Sequence, residues 1–149
     1  MMKQLSLDTF LPYHLAVTAD LVSRSLAKVY EGYDLTTPEW RILVHLQHHE
    51  HLTPTELGTL TNMDKARVTR ALILMDKKEL AVREASEQDK RVAHISLTEK
   101  GKDLFQQIET PILAWQQSFQ AALSKEKQHE LLSLLKQLNA WCGEHCQTT

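Results

Sequence analysis

TPTELGTLTNMDKARVTRALILMDKKEL, residues 53–80, reads as two helices joined by a tight turn. Thr53 supplies a capping hydroxyl and Pro54 takes the first helical position, where its missing N–H costs nothing. Glu56 can reach back to the Thr53 amide and complete a capping box. This helix is short, about 53–60, and ends near Thr61-Asn62. Asn62 or Asp64 caps a second helix in which Val68, Ala71, Leu72 and Met75 share one stripe. Lys65, Arg67, Thr69 and Arg70 fall mostly off that stripe, so the exposed face is basic and polar.

Downstream, the period of the apolar residues changes from helical to alternating. Ala93, Ile95 and Leu97 lie on one side of a strand at 92–97, and residues 81–85 can pair with it across a charged tip at 86–91. A short helix, a tight turn, a basic helix and a charged hairpin are the order of a winged helix-turn-helix. There the second helix enters the major groove, and donors near its N-terminus reach base edges. Lys65, Arg67, Thr69 and Arg70 are the candidate donors, and Ala66 allows close approach with its methyl toward a thymine methyl. Thr55 at the start of the preceding helix, with Arg83, Asp89, Lys90 and Arg91 of the hairpin, completes the candidate DNA-binding set. A basic helix alone reads equally as a solvated face; the charged hairpin beside it tips the reading to DNA.

Upstream, Thr36-Thr37-Pro38-Glu39 opens a helix carrying Trp40, Leu43, Val44 and Leu46 to about His48. Before it, Leu15, Ala19, Val22, Leu26 and Val29 recur at spacings of four and three, predicting a helix over about 9–31 with Gly32 as its stop. Phe10, Leu11, Val17 and Leu21 lie off that stripe, so this helix buries more than one face. After the hairpin, Thr98-Glu99-Lys100-Gly101 opens a long helix with Leu104, Ile108, Ile112, Trp115 and Phe119 on one face, and Pro111 inside it predicts a kink rather than a break. Ser124 caps a last helix bearing Leu131, Leu134, Leu135, Leu138, Trp141 and Cys142. The expected architecture is mainly α with a small β-hairpin wing, one domain over 1–149. A winged lobe covers about 36–98, and a helical dimerisation region is drawn from about 9–31 and 99–146.

With 149 residues, 42% hydrophobic and 24% charged, the chain has average domain length and can bury a core. Four Gly and four Pro, against about seven or more of each in average usage, leave little for a turn-rich all-β fold. The longest apolar run, 71–75, is five residues, whereas a bilayer span needs about 20, so no membrane partner is expected. The N-terminus lacks the charged start, apolar stretch and cleavage site of a signal peptide, and a cytoplasmic location is expected. The net charge of −2 hides an asymmetry. Residues 62–102 hold ten Lys and Arg against seven Asp and Glu, a local +3, and the remainder carries −5. A basic centre with acidic flanks suits a centre that meets phosphate. No nucleophile-and-base pair, glycine-rich phosphate loop or placed carboxylate pair points to an enzyme, and no cofactor is called for.

The run at 56–80 followed by DKRVAHISLTEKG, 89–101, resembles the MarR family of bacterial transcription regulators. The wing of that family carries Asp-x-Arg and, after five further residues, Leu-Thr; here these are Asp89, Arg91, Leu97 and Thr98. FLPYHL at 10–15, LTTPEWRIL at 35–43 and the leucine-rich last helix extend the likeness along the chain. The resemblance implies a homodimer built from the first helix and the last two. It also implies a separate DNA-binding lobe, pseudo-palindromic operators, and repression rather than activation. It places Arg91 in the minor groove, with Asp89 holding the hairpin and that arginine. One departure stands out. The family has a glycine in the turn that ends the recognition helix, and this chain has Lys77-Lys78-Glu79-Leu80-Ala81. A left-handed cap on a non-glycine residue costs about 1 kcal/mol, so a remodelled cap is expected.

Three amphipathic helices at the two chain ends independently favour a dimer over a bundle folded back on the winged lobe. The family likeness further implies release of DNA on binding a small aromatic or anionic effector, a metal or an oxidant between the dimer helices and the winged lobe. Tyr13, His14, Trp40, Arg41 and Trp115 are candidates to border such a pocket, and all five read equally as core or interface residues. His45 and His49, at i and i+4, can share a helical face as metal ligands, although a third ligand such as Glu50 is needed. The plainer reading is imidazoles favoured by the negative end of a helix. Cys142 and Cys146 are four apart, a spacing at which an intrahelical disulfide is strained. They read as interface packing or, alternatively, as a redox switch. A winged helix serving protein contact, as an antirepressor or adaptor, remains the alternative to DNA binding.

Overall fold

Short sequence signals at the helix starts become explicit caps in the computed structural model, which describes residues 5–146. The first helix, α1, spans Leu11–Tyr30. After the chain reverses, the Thr36 hydroxyl accepts the Glu39 amide and the Glu39 carboxylate accepts the Thr36 amide at 2.9 Å, opening α2, Thr37–Gln47. The same reciprocal box, Thr53 with Glu56, opens α3, Pro54–Thr61. Asp64, not Asn62, caps α4, Lys65–Lys77, by accepting the Arg67 amide at 2.8 Å. Asn62 instead closes α3 in the left-handed region, at φ 52°. Strands β1, Ala81–Ala85, and β2, Ala93–Leu97, pair antiparallel from Ala81↔Leu97 to Ala85↔Ala93. After them come α5, Glu99–Gln120, and α6, Lys125–His145. The chain divides into two compact units between Ile112 and Leu113.

In the first unit, Ile42, Leu43, Leu57, Val68, Met75 and Ile108 form the fully buried centre of the core. They come from α2, α3, α4 and α5, so the helix-turn-helix and the start of the long helix share one apolar interior. Ile95 and Leu97 add the inward face of the hairpin. A further tether joins the wing to the loop before α3: the Leu52 and Ile95 backbones exchange hydrogen bonds of 2.9 and 2.8 Å. That bridge is too short to show as a sequence pattern. In the second unit, Trp115 stacks on Phe119 with ring centroids 5.2 Å apart, and Gln128 donates to the Gln120 and Leu123 carbonyls across the turn before α6. Pro111 lies inside α5, which continues through it.

Two chain reversals differ from expectation. The first helix starts at Leu11 rather than near residue 9, because Leu7–Thr9 form a 3-10 turn. It ends at Tyr30 and runs into a second 3-10 turn, Glu31–Tyr33, which Asp34 closes in the left-handed region at φ 58°, and Gly32 does not supply the positive φ. Aspartate tolerates this conformation better than most side chains. At the end of α4 the cap is not remodelled. Glu79 takes the left-handed position at φ 60°, with the Glu79 amide on the Asp76 carbonyl and the Leu80 amide on the Met75 carbonyl. These two bonds are those of a Schellman motif, whose favoured residue at this position is glycine. Thr98 and Lys100 meet Glu79 from α5 and its N-terminal approach, the threonine hydroxyl donating to the Glu79 carbonyl at 2.6 Å. Glu79→Gly is therefore expected to raise stability by about 1 kcal/mol, a melting-temperature gain of roughly 2–4 °C, because the cap is kept and its Cβ strain removed. Removing the exposed ion pair with Lys100 subtracts little. A lower melting temperature would contradict this assignment of strain.

Candidate nucleic-acid interface

Two helices meeting at a tight turn need one close approach, and Gly58 provides it. A Cβ there would stand 3.1 Å from the Met63 carbonyl oxygen, while the Met63 amide donates to the Gly58 carbonyl at 3.0 Å. The turn fixes α4 with Val68, Ala71 and Met75 inward. Lys65, Ala66, Arg67, Thr69 and Arg70 are consequently exposed. Thr69 donates its hydroxyl to the Lys65 carbonyl, at 2.8 Å.

The wing tip is built by two side chains. Ser86 Oγ accepts the amides of Gln88 and Asp89, and Asp89 Oδ1 accepts the Arg91 amide at 2.9 Å. Asp89 thus shapes the backbone that carries Arg91 rather than clamping its guanidinium. Arg83 is paired with Ile95 in the ladder, so both point to the side of the hairpin that faces α3 and α4. There a groove of about 820 Å³ brings together Thr55, Lys65, Thr69 and Arg83, with the buried Val68 and Ile95 also in its lining. Among the described residues, Lys65, Arg67, Arg70, Arg83, Lys90 and Arg91 take part in no ion pair. Six such exposed cations over one helix and its hairpin can exchange solvent for phosphate without first breaking an ion pair.

The capping carboxylate of α3, Glu56, follows Thr55 in the first turn of that helix. Hydrogen bonds from Thr53, first its amide and then its hydroxyl, hold the Glu56 carboxyl below the usual carboxylate range. The nearby His94 and His51 imidazoles act in the same direction. Those two rings stack at 4.2 Å beside the Leu52 and Ile95 bridge, a pairing for which the sequence offers no signal beyond two distant histidines.

The remaining candidates have contacts of their own. Tyr13 and His14 meet edge to face, and His14 Nε2 lies 3.0 Å from the Asp8 carbonyl. Trp40 stacks on buried Tyr30 at 5.6 Å, and Arg41 reaches the Thr61 carbonyl at 3.5 Å, tying α2 to the end of α3. Trp115 belongs to the second unit, against Phe119. Burial first, then the neighbouring His49 and His48, pushes the His45 pKa down. His49 Nδ1 donates to the His45 carbonyl at 2.7 Å, and the two rings are 6.4 Å apart. Among the described residues, no group of three or more His, Cys, Asp or Glu is placed to share a metal ion. Cys142 and Cys146 are exposed free thiols.

Residues 33–92, from the approach to α2 through the wing tip, match the MarR family. The chain is 31% identical over 101 residues to the HTH-type transcriptional regulator SarZ of Staphylococcus epidermidis, covering 65% of this chain and 68% of that protein. A MarR family transcriptional regulator from Silicibacter pomeroyi superposes with a TM-score of 0.78 at 27% identity, over 93% of this chain and 92% of the other. A MarR mutant from E. coli complexed with operator DNA has the same fold, with a TM-score of 0.80 at 22% identity over 86% and 92% of the two chains.

Proposed function

The chain belongs to the MarR family of transcription regulators, and on that premise we propose that it is a repressor that binds a pseudo-palindromic operator as a homodimer. The observation that carries this reading is the set of six exposed cations on α4, β1 and the wing tip, none of them in an ion pair among the described residues. Exposed α4 would lie in the major groove, its first two turns against base edges, with Arg91 reaching the adjacent minor groove. Thr55 at the start of α3 and Lys90 beside Arg91 would meet the backbone and set the register. The fold shared with an operator-bound MarR protein supports binding to DNA. A cytoplasmic place of action goes with it, and no helix among the described residues is long and apolar enough to cross a membrane.

Dimerisation is supported by apolar surface that a single chain leaves uncovered. No described residue of α6 is buried, and Leu131, Leu132, Leu134 and Trp141 are exposed along it. Leu11, Val17 and Leu21 are exposed on α1. Sedimentation at micromolar concentration is expected to find one species of twice the 17.1 kDa chain mass; a 17.1 kDa species throughout would refute the dimer. A small aromatic or anionic effector would act by changing the spacing of the two recognition helices, with Tyr13, His14, Trp40, Arg41 and Trp115 as the side chains to test.

Selection from a random duplex pool examines the operator reading. Enriched sequences should contain two inverted half-sites with centres about one helical turn, roughly 10 bp, apart. No enrichment above the starting pool would favour a winged helix used for protein contact.

A further inference from the structure

Lys77 and Lys78 look alike in the sequence, as two cations closing a basic helix, but they have different surroundings. Lys77 is exposed, whereas the Lys78 side chain is 25% exposed and, unlike the six cations of the interface, is ion-paired. Its ammonium donates to Glu39 Oε1 at 2.9 Å and to the Asp34 carbonyl, with Asp34 Oδ2 a further 3.6 Å contact. Glu39 is 0% exposed. Its other oxygen accepts the Thr36 amide and hydroxyl at 2.9 and 2.7 Å, so Lys78 brings the charged donor to an otherwise capped, buried carboxylate.

We propose that Lys78 is a positioning residue for DNA reading, fixing the C-terminal end of α4 to the first turn of α2 so that the opposite end of α4 meets the bases in register. This inference rests on the DNA-binding reading. Apolar contacts are non-directional, so Val68, Ala71 and Met75 choose the inward face of α4 without setting its rotation or axial position closely. A short charge-assisted bond from a buried acceptor does set them. The lysine itself is held at a defined point, because it is the C-cap of α4 immediately before the left-handed Glu79. Its acceptors are equally fixed: Asp34 is the left-handed stop after α1, and Glu39 belongs to the capping box of α2. One ammonium therefore joins the reversal between α1 and α2 to the turn that ends α4, and the helix that carries Lys65, Arg67 and Arg70 is referenced to both.

The test compares Lys78→Met with the double variant Lys78→Met, Glu39→Gln, which removes the ammonium without leaving a buried unpaired charge. Lys78→Met is expected to melt earlier, and the double variant to recover most of that decrease. Both should lose discrimination between the selected operator and random duplex by about one base contact, roughly tenfold. Both should keep the wild-type slope of log affinity against log salt, since no phosphate contact is removed. A double variant with wild-type discrimination would overturn the proposal, as would a slope reduced by about one, which marks a phosphate contact. Residual dipolar couplings of the free protein supply a readout independent of DNA. The double variant should show α4 reoriented against α2, and an unchanged orientation would overturn the proposal. If wild type discriminates no duplex while the couplings show α4 moving, the operator reading fails and the positioning role stands.

Discussion

Gly101→Ala is expected to cost about 3 kcal/mol and to lower the melting temperature by roughly 10 °C. A Cβ at this position, in the first turn of α5, would stand 2.2 Å from the Leu80 carbonyl oxygen, 3.1 Å from its carbonyl carbon and 3.2 Å from Leu97 Cδ2. The obstruction is backbone, and that backbone is engaged: the Leu80 carbonyl accepts the Thr98 amide at 3.1 Å, and the Leu80 amide closes the cap of α4 at 2.8 Å. Relief would require α5 to move away from the joint between the recognition helix and the hairpin. Because that joint holds β1 and β2 against α4, the variant should also expose the hairpin amides to faster hydrogen exchange. Gly32→Ala serves as the control, since nothing lies within 4 Å of its Cβ position and its φ is ordinary. Thermal unfolding followed by circular dichroism checks both. A Gly101→Ala protein that melts with wild type would show that α5 is not seated on Leu80.

The second large effect concerns the interface cations. Replacing Lys65, Arg70 and Arg91 together by alanine is expected to weaken operator binding roughly 100-fold or more at moderate salt. It should also reduce the slope of log affinity against log salt by about 0.9 for each phosphate no longer neutralised. Stability should stay near wild type, because all three side chains are exposed and none takes part in an ion pair among the described residues. Arg91→Ala alone should weaken binding by about 1–3 kcal/mol. Titration by fluorescence anisotropy at several salt concentrations separates the contributions. Undiminished affinity in the triple variant would remove α4 and the wing from the interface.

The sequence carries the helix starts and the basic face of α4 because these are local. Thr36 with Glu39, Thr53 with Glu56, and Asp64 with Arg67 each act within three residues, and the buried stripe of α4 repeats every turn. What escapes is long-range or conformational. The stop after α1 falls on Asp34, although Gly32 is the easier left-handed residue, because the chain makes another 3-10 turn first. Glu79 shows that a motif can keep its geometry when its favoured residue is absent, at a cost in strain rather than in shape. The bridge of Leu52 to Ile95 and the stack of His51 on His94 join segments about 40 residues apart through single pairs, which leave no periodicity. Lys78 is hidden for the same reason: its partners lie 39 and 44 positions earlier. Within the interface, alternation in β1 assigns Arg83 to the side of Ala81, and only the register with Ile95 reveals that this side opens on the groove with Lys65.

The most direct test of DNA regulation is anisotropy of wild-type protein titrated against duplexes tiling the DNA around its own gene, at low and high salt. The expected result is tight binding to one tile that weakens steeply with salt and that the triple cation variant loses. Binding to every tile with the same low affinity, unchanged by removal of those cations, would contradict it.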